Sequence, residues 1–316
     1  MVLDSPVSMR DDTSVWLVRA FYVFAAYAIV IVRFIPDLRT RFLNYGARSP
    51  ASEKATTSEE TALPKWLRIQ IDPMLDWAAN VTVPHSWFTH FYATSTICSA
   101  CWMFYHRRVF GSLFSIADKY ALVASWEGRT IVALMLLQYQ SLRRLYECIV
   151  ISKKSQSRMW IGHYAIGIAF YLATNIAIWV EPSVRETRPT IVSDLTIVNL
   201  ARTVACVFTF LYYSKQQHVV HRFLASLKGY QVPNHQIFQT SNLVCPHYAF
   251  EVYIYLTLTI LTARDERVLN ITMLCATAFV VVNLGVTADM TKRWQLKTFP
   301  KQRPEIAGRN KMLSFW

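Results

Sequence analysis

Apolar residues in this chain run together in blocks. Seven blocks close to the ~20 residues that a helix needs to cross a bilayer lie near 14 to 35, 86 to 105, 119 to 142, 160 to 180, 191 to 214, 246 to 263 and 267 to 288. Such lengths exceed the shorter amphipathic segments of a soluble core. They predict an all-α polytopic membrane protein with about seven transmembrane helices. Residues 46 to 64 break the pattern with "GARSPASEKATTSEETALP", which is polar and poor in apolar side chains and reads as a loop without fixed structure. The chain thus divides into an amino-terminal segment with the first span (1–45), a polar connection (46–84) and a membrane domain (85–316).

Charge orients these spans. The tail beyond the last block carries Lys292, Arg293, Lys297, Lys301, Arg303, Arg309 and Lys311, and the positive-inside rule places it in the cytosol. An odd number of spans then puts the amino terminus in the lumen. The other cytosolic connections agree, holding Arg39, Arg41, Arg48, Lys54, Lys65 and Arg68, then Arg143, Arg144, Lys153, Lys154 and Arg158, then Lys215, Arg222 and Lys228. The opposite connections are poorer in basic residues. Asn80-Val81-Thr82 and Asn270-Ile271-Thr272 are glycosylation sequons, but both adjoin spans and the first is cytosolic in this orientation, so neither is expected to carry glycan.

Composition changes the picture little. The chain has 316 residues, 53% hydrophobic and 17% charged, with a net charge of +13. Because the basic residues gather between apolar blocks, they point to membrane topology and anionic ligands, with no nucleic acid. Cys98 and Cys101 lack a second pair and lie in an expected span, so they read as small hydrophobes, with no metal. His85-x4-His90 and His218-x2-His221 imitate the histidine boxes of a di-iron enzyme. A chain with 8 histidines and no adjacent pair is too poor in ligands for such a centre.

Charged and polar groups at span ends carry the candidate chemistry. Arg143, Arg144 and Glu147 continue the third span within one turn of each other. Arginine precedes glutamate, the less favourable order for helix pairing, and arginine's planar fork suits phosphate; the residues alone leave bracing and anion binding equally open. Gln217 and His221 share a helical face where the fifth span ends, with Lys228 and Tyr230 beyond. His247 and Glu251 open the sixth span, where a carboxylate either caps the helix or holds a ligand donor. Trp87, His90 and Tyr92 open the second, as interfacial aromatics or as donors to a substrate oxygen. No GxGxxG or Walker loop is present, so a bound nucleotide would have to be held by the bundle itself.

Taken in order, "WFTHFY", "QSLRRLYEC", "QHVVHRFLASLKGYQVP", "CPHYAFEVYIY" and the tail "GRNKMLSFW" resemble the steroid 5α-reductase family, over about residues 84 to 316, and within it the polyprenol reductase branch that makes dolichol. The resemblance implies a seven-helix fold in the endoplasmic reticulum membrane, NADPH as cofactor and a polyprenol or polyprenal lipid as substrate. It also implies that Arg143, Arg144, Gln217, His221, Lys228, Tyr230, His247, Glu251, Arg293 and Arg309 lie at the cofactor. His90, Tyr92 and Glu251 would be catalytic, and Trp87, His90, Tyr92 and Ser141 would meet substrate. Arg293-Trp294-Gln295 departs from the family's Arg-Phe-Tyr, and the residues that grip a steroid ketone are not reproduced. Steroid or enoyl-CoA reduction is the alternative within the family. A lipid carrier without catalysis is the alternative outside it, and it leaves the polar span ends unexplained.

Overall fold

The computed structural model describes residues 8–43, 65–109, 125–153, 156–183, 192–264 and 267–313. The expected loop 46–64 and the start of the third expected span lie outside them. Seven long helices stand at the positions of the seven apolar blocks: α1 (Ser8–Phe34), α4 (Phe88–Val109), α5 (Trp126–Tyr146), α6 (Ile161–Ser183), α7 (Val192–Ser226), α9 (Pro246–Leu261) and α10 (Ile271–Thr298). Between them lie α2 (Pro36–Phe42), α3 (Lys65–Asn80), α8 (Gln236–Ser241) and α11 (Arg303–Gly308), with a short antiparallel ribbon of β1 (Thr82–Pro84) and β2 (Arg158–Trp160). The chain is mostly helical. Among the described residues, four helices are by length and composition able to cross a membrane: Thr13–Phe34, Ile161–Ser183, Ile197–Ser226 and Ile271–Thr298.

Helix ends follow their caps. Ser125 Oγ accepts from Gly128 N at 3.1 Å to open α5, Asn270 Oδ1 accepts from Met273 N at 3.0 Å to open α10, and Pro246 occupies the first turn of α9. The Asn270 amide also donates to Ala177 O and Thr262 Oγ1, so the sequon asparagine is buried in the core. Both α7 and α10 run about ten residues past the apolar blocks. Their polar extensions stay helical because partners on other elements hold them.

The helices pack as α7 on α9, α9 on α10, α10 on α1 and α4 against both α5 and α6. Lipid tails are as apolar as the core, so packing and interhelical hydrogen bonds hold such a bundle, at about 1 kcal/mol for each bond. Tyr22 Oη pairs with Thr174 Oγ1 at 3.1 Å, Ser141 Oγ donates to Ser95 Oγ at 2.6 Å, and Thr259 and Thr277 hydroxyls meet at 2.9 Å. Phe170 joins Tyr22 and Phe279 in an aromatic centre, with ring centroids 6.0 and 5.2 Å apart. Cys101 lies on the exposed face of α4, outside the core expected for it, while Cys206 and Cys245 are buried.

Polar clasps close both ends of the bundle. At one end Glu181 on α6 accepts from Arg19 Nη2 at 2.9 Å and Thr272 N at 2.7 Å, and buried Arg129 donates to Leu261 O at 3.2 Å and Ala263 O at 2.8 Å at the carboxyl end of α9. At the other end Asp289 pairs with Arg33 at 2.5 Å, Arg293 at 2.9 Å and Lys311 at 3.0 Å. The tail then crosses back to the start of α9, where Val244 N donates to Asn310 O at 2.8 Å and Cys245 N to Lys311 O at 3.0 Å.

Candidate active site

A cavity of about 240 Å³ lies among α1, α4, α5, α6, α7, α9 and α10. Its apolar lining includes Ile29, Phe170, Phe279 and Leu284; its polar lining includes Tyr92, Arg144, Gln217, His221, His247 and Glu251. Four helix ends supply these polar residues: the start of α4, the end of α5, the last turns of α7 and the start of α9. Antiparallel neighbours place all of them at the end of the bundle that holds Asp289.

Arg144 is the centre of this polar lining. Its Nε and Nη2 donate to Tyr92 Oη at 3.1 and 2.8 Å, and its Nη1 donates to Glu147. A guanidinium carries five N–H groups, so two more are left for a ligand in the cavity. Tyr92 accepts twice from Arg144, which leaves its own O–H to donate elsewhere.

Glu147 lies where α5 passes into a π turn, Glu147–Ile151, closed by Ser152 N on Glu147 O at 2.7 Å. Its Oε1 receives Arg143 Nη1 and faces His218 Nδ1 at 2.6 Å; its Oε2 receives Arg144 and faces His221 Nδ1 at 2.7 Å. Burial raises the Glu147 carboxyl pKa, but the hydrogen bond of His221 and the Arg144 and Arg143 charges outweigh that and hold it well below the usual carboxylate range.

A second set of bonds joins α5, α7 and α9. Gln217 Nε2 donates to Glu251 Oε2 and, at 3.3 Å, to His247 O; its Oε1 accepts from Gln140 Nε2 at 2.9 Å and Arg143 Nη2 at 2.5 Å. Arg143 Nε reaches Ser214 Oγ at 3.0 Å. The Glu251 carboxylate, in the second turn of α9, is therefore hydrogen-bonded from α7. His247 Nδ1 is buried with no hydrogen-bond partner, a polar atom fit for a bound amide or hydroxyl.

Six of the sequence candidates thus meet in one place: Tyr92, Arg144, Gln217, His221, His247 and Glu251. Arg143 stands behind them. His90 instead faces Tyr164 Oη at 3.1 Å and Trp87 packs on its ring, while Ser141 is bonded to Ser95; none of the three lines the cavity. Tyr230 is exposed against Trp294, and Lys228 is exposed beside it. Arg293 is bonded to Asp289, and buried Arg309 is bonded to Pro233 O and Glu305. Sequence reasoning missed Tyr171, Tyr255 and His163 in the cavity wall, because single polar residues inside apolar blocks carry no local pattern.

Residues 190–307 match the family described as 3-oxo-5-alpha-steroid 4-dehydrogenase. The polyprenal reductase of Caenorhabditis elegans is 30% identical over 244 aligned positions, which cover 70% of this chain and 76% of that protein. The chain belongs to the steroid 5α-reductase family, in its polyprenal reductase branch. Polyprenal reductase of Saccharomyces cerevisiae is 28% identical, covering 72% of this chain and 73% of its own, and polyprenal reductase 1 of Arabidopsis thaliana is 28% identical, covering 69% and 77%. This member is a multi-pass membrane oxidoreductase acting on a CH–CH bond.

Proposed function

We propose that the protein reduces the α-isoprene double bond of a polyprenal with NADPH, in the dolichol synthesis that supports protein N-glycosylation. The observation that carries this reading is the Arg144-held Tyr92 hydroxyl at the wall of a mostly apolar cavity. The relatives' names support the substrate, and the apolar lining suits an isoprenoid tail. In the same reading all seven long helices span the endoplasmic reticulum membrane, with the amino terminus lumenal and the tail cytosolic.

The residues fit the cofactor. Two unengaged N–H groups of Arg144 suit phosphate oxygens, and His247 Nδ1, Glu251 and Gln217 suit the polar groups of a carboxamide and ribose. Bound there, NADPH supplies a hydride to an electron-poor carbon. An aldehyde conjugated to the double bond makes its β-carbon such a site, with negative charge growing on oxygen; an allylic alcohol offers no such sink. Tyr92 O–H donates to that oxygen, and Arg144 strengthens it as a donor by withdrawing charge from the phenol. The apolar lining of Ile29, Phe170, Phe279 and Leu284 excludes water and aligns the tail.

The test uses membranes containing the protein, NADPH and either long-chain polyprenal or testosterone, with saturated product measured by mass spectrometry. NADPH-dependent dolichal from polyprenal is the expected result. Its absence refutes the reading, and 5α-reduced steroid in its place moves the protein to the other branch.

A further inference from the structure

Glu147 is 1% exposed and carries four contacts on two oxygens, yet it does not line the cavity. A carboxylate only accepts hydrogen bonds, so the Nδ1 atoms of His218 and His221 must both carry hydrogen. In a neutral ring Nε2 is then the acceptor, and the tautomer of His221 is set by Glu147. Arg144 Nη1 also approaches His221 Nδ1, to 2.6 Å. Two donors cannot bond each other, so that approach reflects their convergence on the same Oε2. The division of labour is sharp: Oε2 takes the two groups that line the cavity, Arg144 and His221, while Oε1 takes Arg143 and His218, which do not.

We propose that Glu147 is a positioning residue for the pyridine dinucleotide, fixing the Arg144 guanidinium and the His221 tautomer so that an anion donor site and a neutral acceptor stand side by side. The inference rests on the NADPH reading above. The π turn begins at Glu147, whose carboxylate meets the arginines three and four residues earlier by ordinary helical spacing and both histidines on α7 across the helix pair. A phosphate meets Arg144, and a hydroxyl or amide donor meets Nε2 of His221. A glutamine at 147 loses the charge that holds both arginines. Its amide can also donate to His221 Nδ1, which turns the ring into the opposite tautomer and presents a donor to the cavity.

Purified protein in lipid nanodiscs is titrated with NADPH alone, read by cofactor fluorescence, for the wild type, Glu147→Gln and Glu147→Asp. The Gln variant is expected to raise Kd about tenfold, as loss of a partner that orients a ligand group commonly does. The Asp variant keeps the charge on a shorter arm, so its Kd lies between the two. At saturating NADPH the Asp variant's kcat with polyprenal falls less than its Kd rises, a split that a purely structural role does not produce. Wild-type Kd in folded Glu147→Gln overturns the proposal. Should that variant not fold, wild-type Kd in Glu147→Asp overturns it equally. A wild-type protein that binds no NADPH refutes the cofactor reading itself, a distinct result.

Discussion

The Tyr92 hydroxyl is held by both Nε and Nη2 of Arg144, at 3.1 and 2.8 Å, and the guanidinium carbon lies 4.8 Å from the centre of the same ring. One arginine thus orients the phenol and spends only its acceptor capacity. The hydroxyl hydrogen is left for the cavity. Tyr92→Phe keeps the ring and its packing against Tyr171 and Phe88. It should lower kcat with polyprenal by about a hundredfold, the lower range for loss of a positioned acid. NADPH affinity should stay near wild type. A variant with wild-type turnover removes Tyr92 from the chemistry.

Arg144 has two N–H groups beyond those used by Tyr92 and Glu147, so its removal should act first on the cofactor. Arg144→Ala is expected to raise KM for NADPH by about tenfold or more, from the loss of charge-assisted bonds worth about 1.5–3 kcal/mol. Since Tyr92 also loses its holder, kcat should fall with it. Unchanged NADPH dependence in steady-state assays returns Arg144 to a purely structural part.

Much of this arrangement was legible in the residues. Each apolar block coincides with a helix, and the polar residues at block ends include the six that meet at the cavity, Tyr92, Arg144, Gln217, His221, His247 and Glu251. Helical spacing shows which residues share a face of one helix, but not which faces meet. It therefore treated His90 and Tyr92 alike, although two residues turn the side chain from the cavity wall to Tyr164. Helix α3 was hidden inside a connection read as polar, since Pro73 and two aspartates break its apolar face; Asp72 and Asp76 are instead bonded to Arg41, at 3.0 and 2.7 Å. Arg129 carries no local pattern in the sequence, and the structure makes it a buried cap on another helix.

That cap predicts a stability effect separable from catalysis. Arg129→Met keeps bulk in the core but leaves the carbonyls of Leu261 and Ala263 without these donors and removes a cation from the carboxyl end of α9. The cost should be about 1–3 kcal/mol for buried acceptors left unsatisfied. Thermal unfolding in detergent should show a lower midpoint, while activity per folded molecule stays at the wild-type level. An unshifted midpoint shows that the carbonyls find other partners.

Gly167 lines the cavity against Phe91, and a Cβ there falls 2.5 Å from the tip of the ring. Phe91 is 5% exposed and packed on Phe88, with centroids 4.7 Å apart, so it has little room to retreat. Gly167→Ala should destabilise the fold by about 1–3 kcal/mol through overpacking. It should also raise KM for polyprenal more than KM for NADPH, because the added methyl, on α6 against Phe91 of α4, is on none of α5, α7 and α9, which carry the cofactor candidates of the cavity. Equal changes in both constants rule out that assignment.

The pH dependence of stability carries a sign that tests the Glu147 cluster. Arg143 and Arg144 from α5 and His218 and His221 from α7 face the carboxylate, and the bond of His221 with the charges of Arg144 and Arg143 outweighs burial and depresses its pKa in the folded state. A depressed carboxylate binds protons more readily when unfolded. Its stabilisation is therefore fully present above the unfolded value of about 4.3 and is lost as pH falls towards the folded one. The difference in unfolding midpoint between wild type and Glu147→Gln should stay constant from neutral pH to about pH 5 and shrink only in stronger acid. A difference that instead grows as pH falls from about 7 to 6 assigns the stabilisation to charged histidines, because those groups gain their proton there and pair with the carboxylate only once charged.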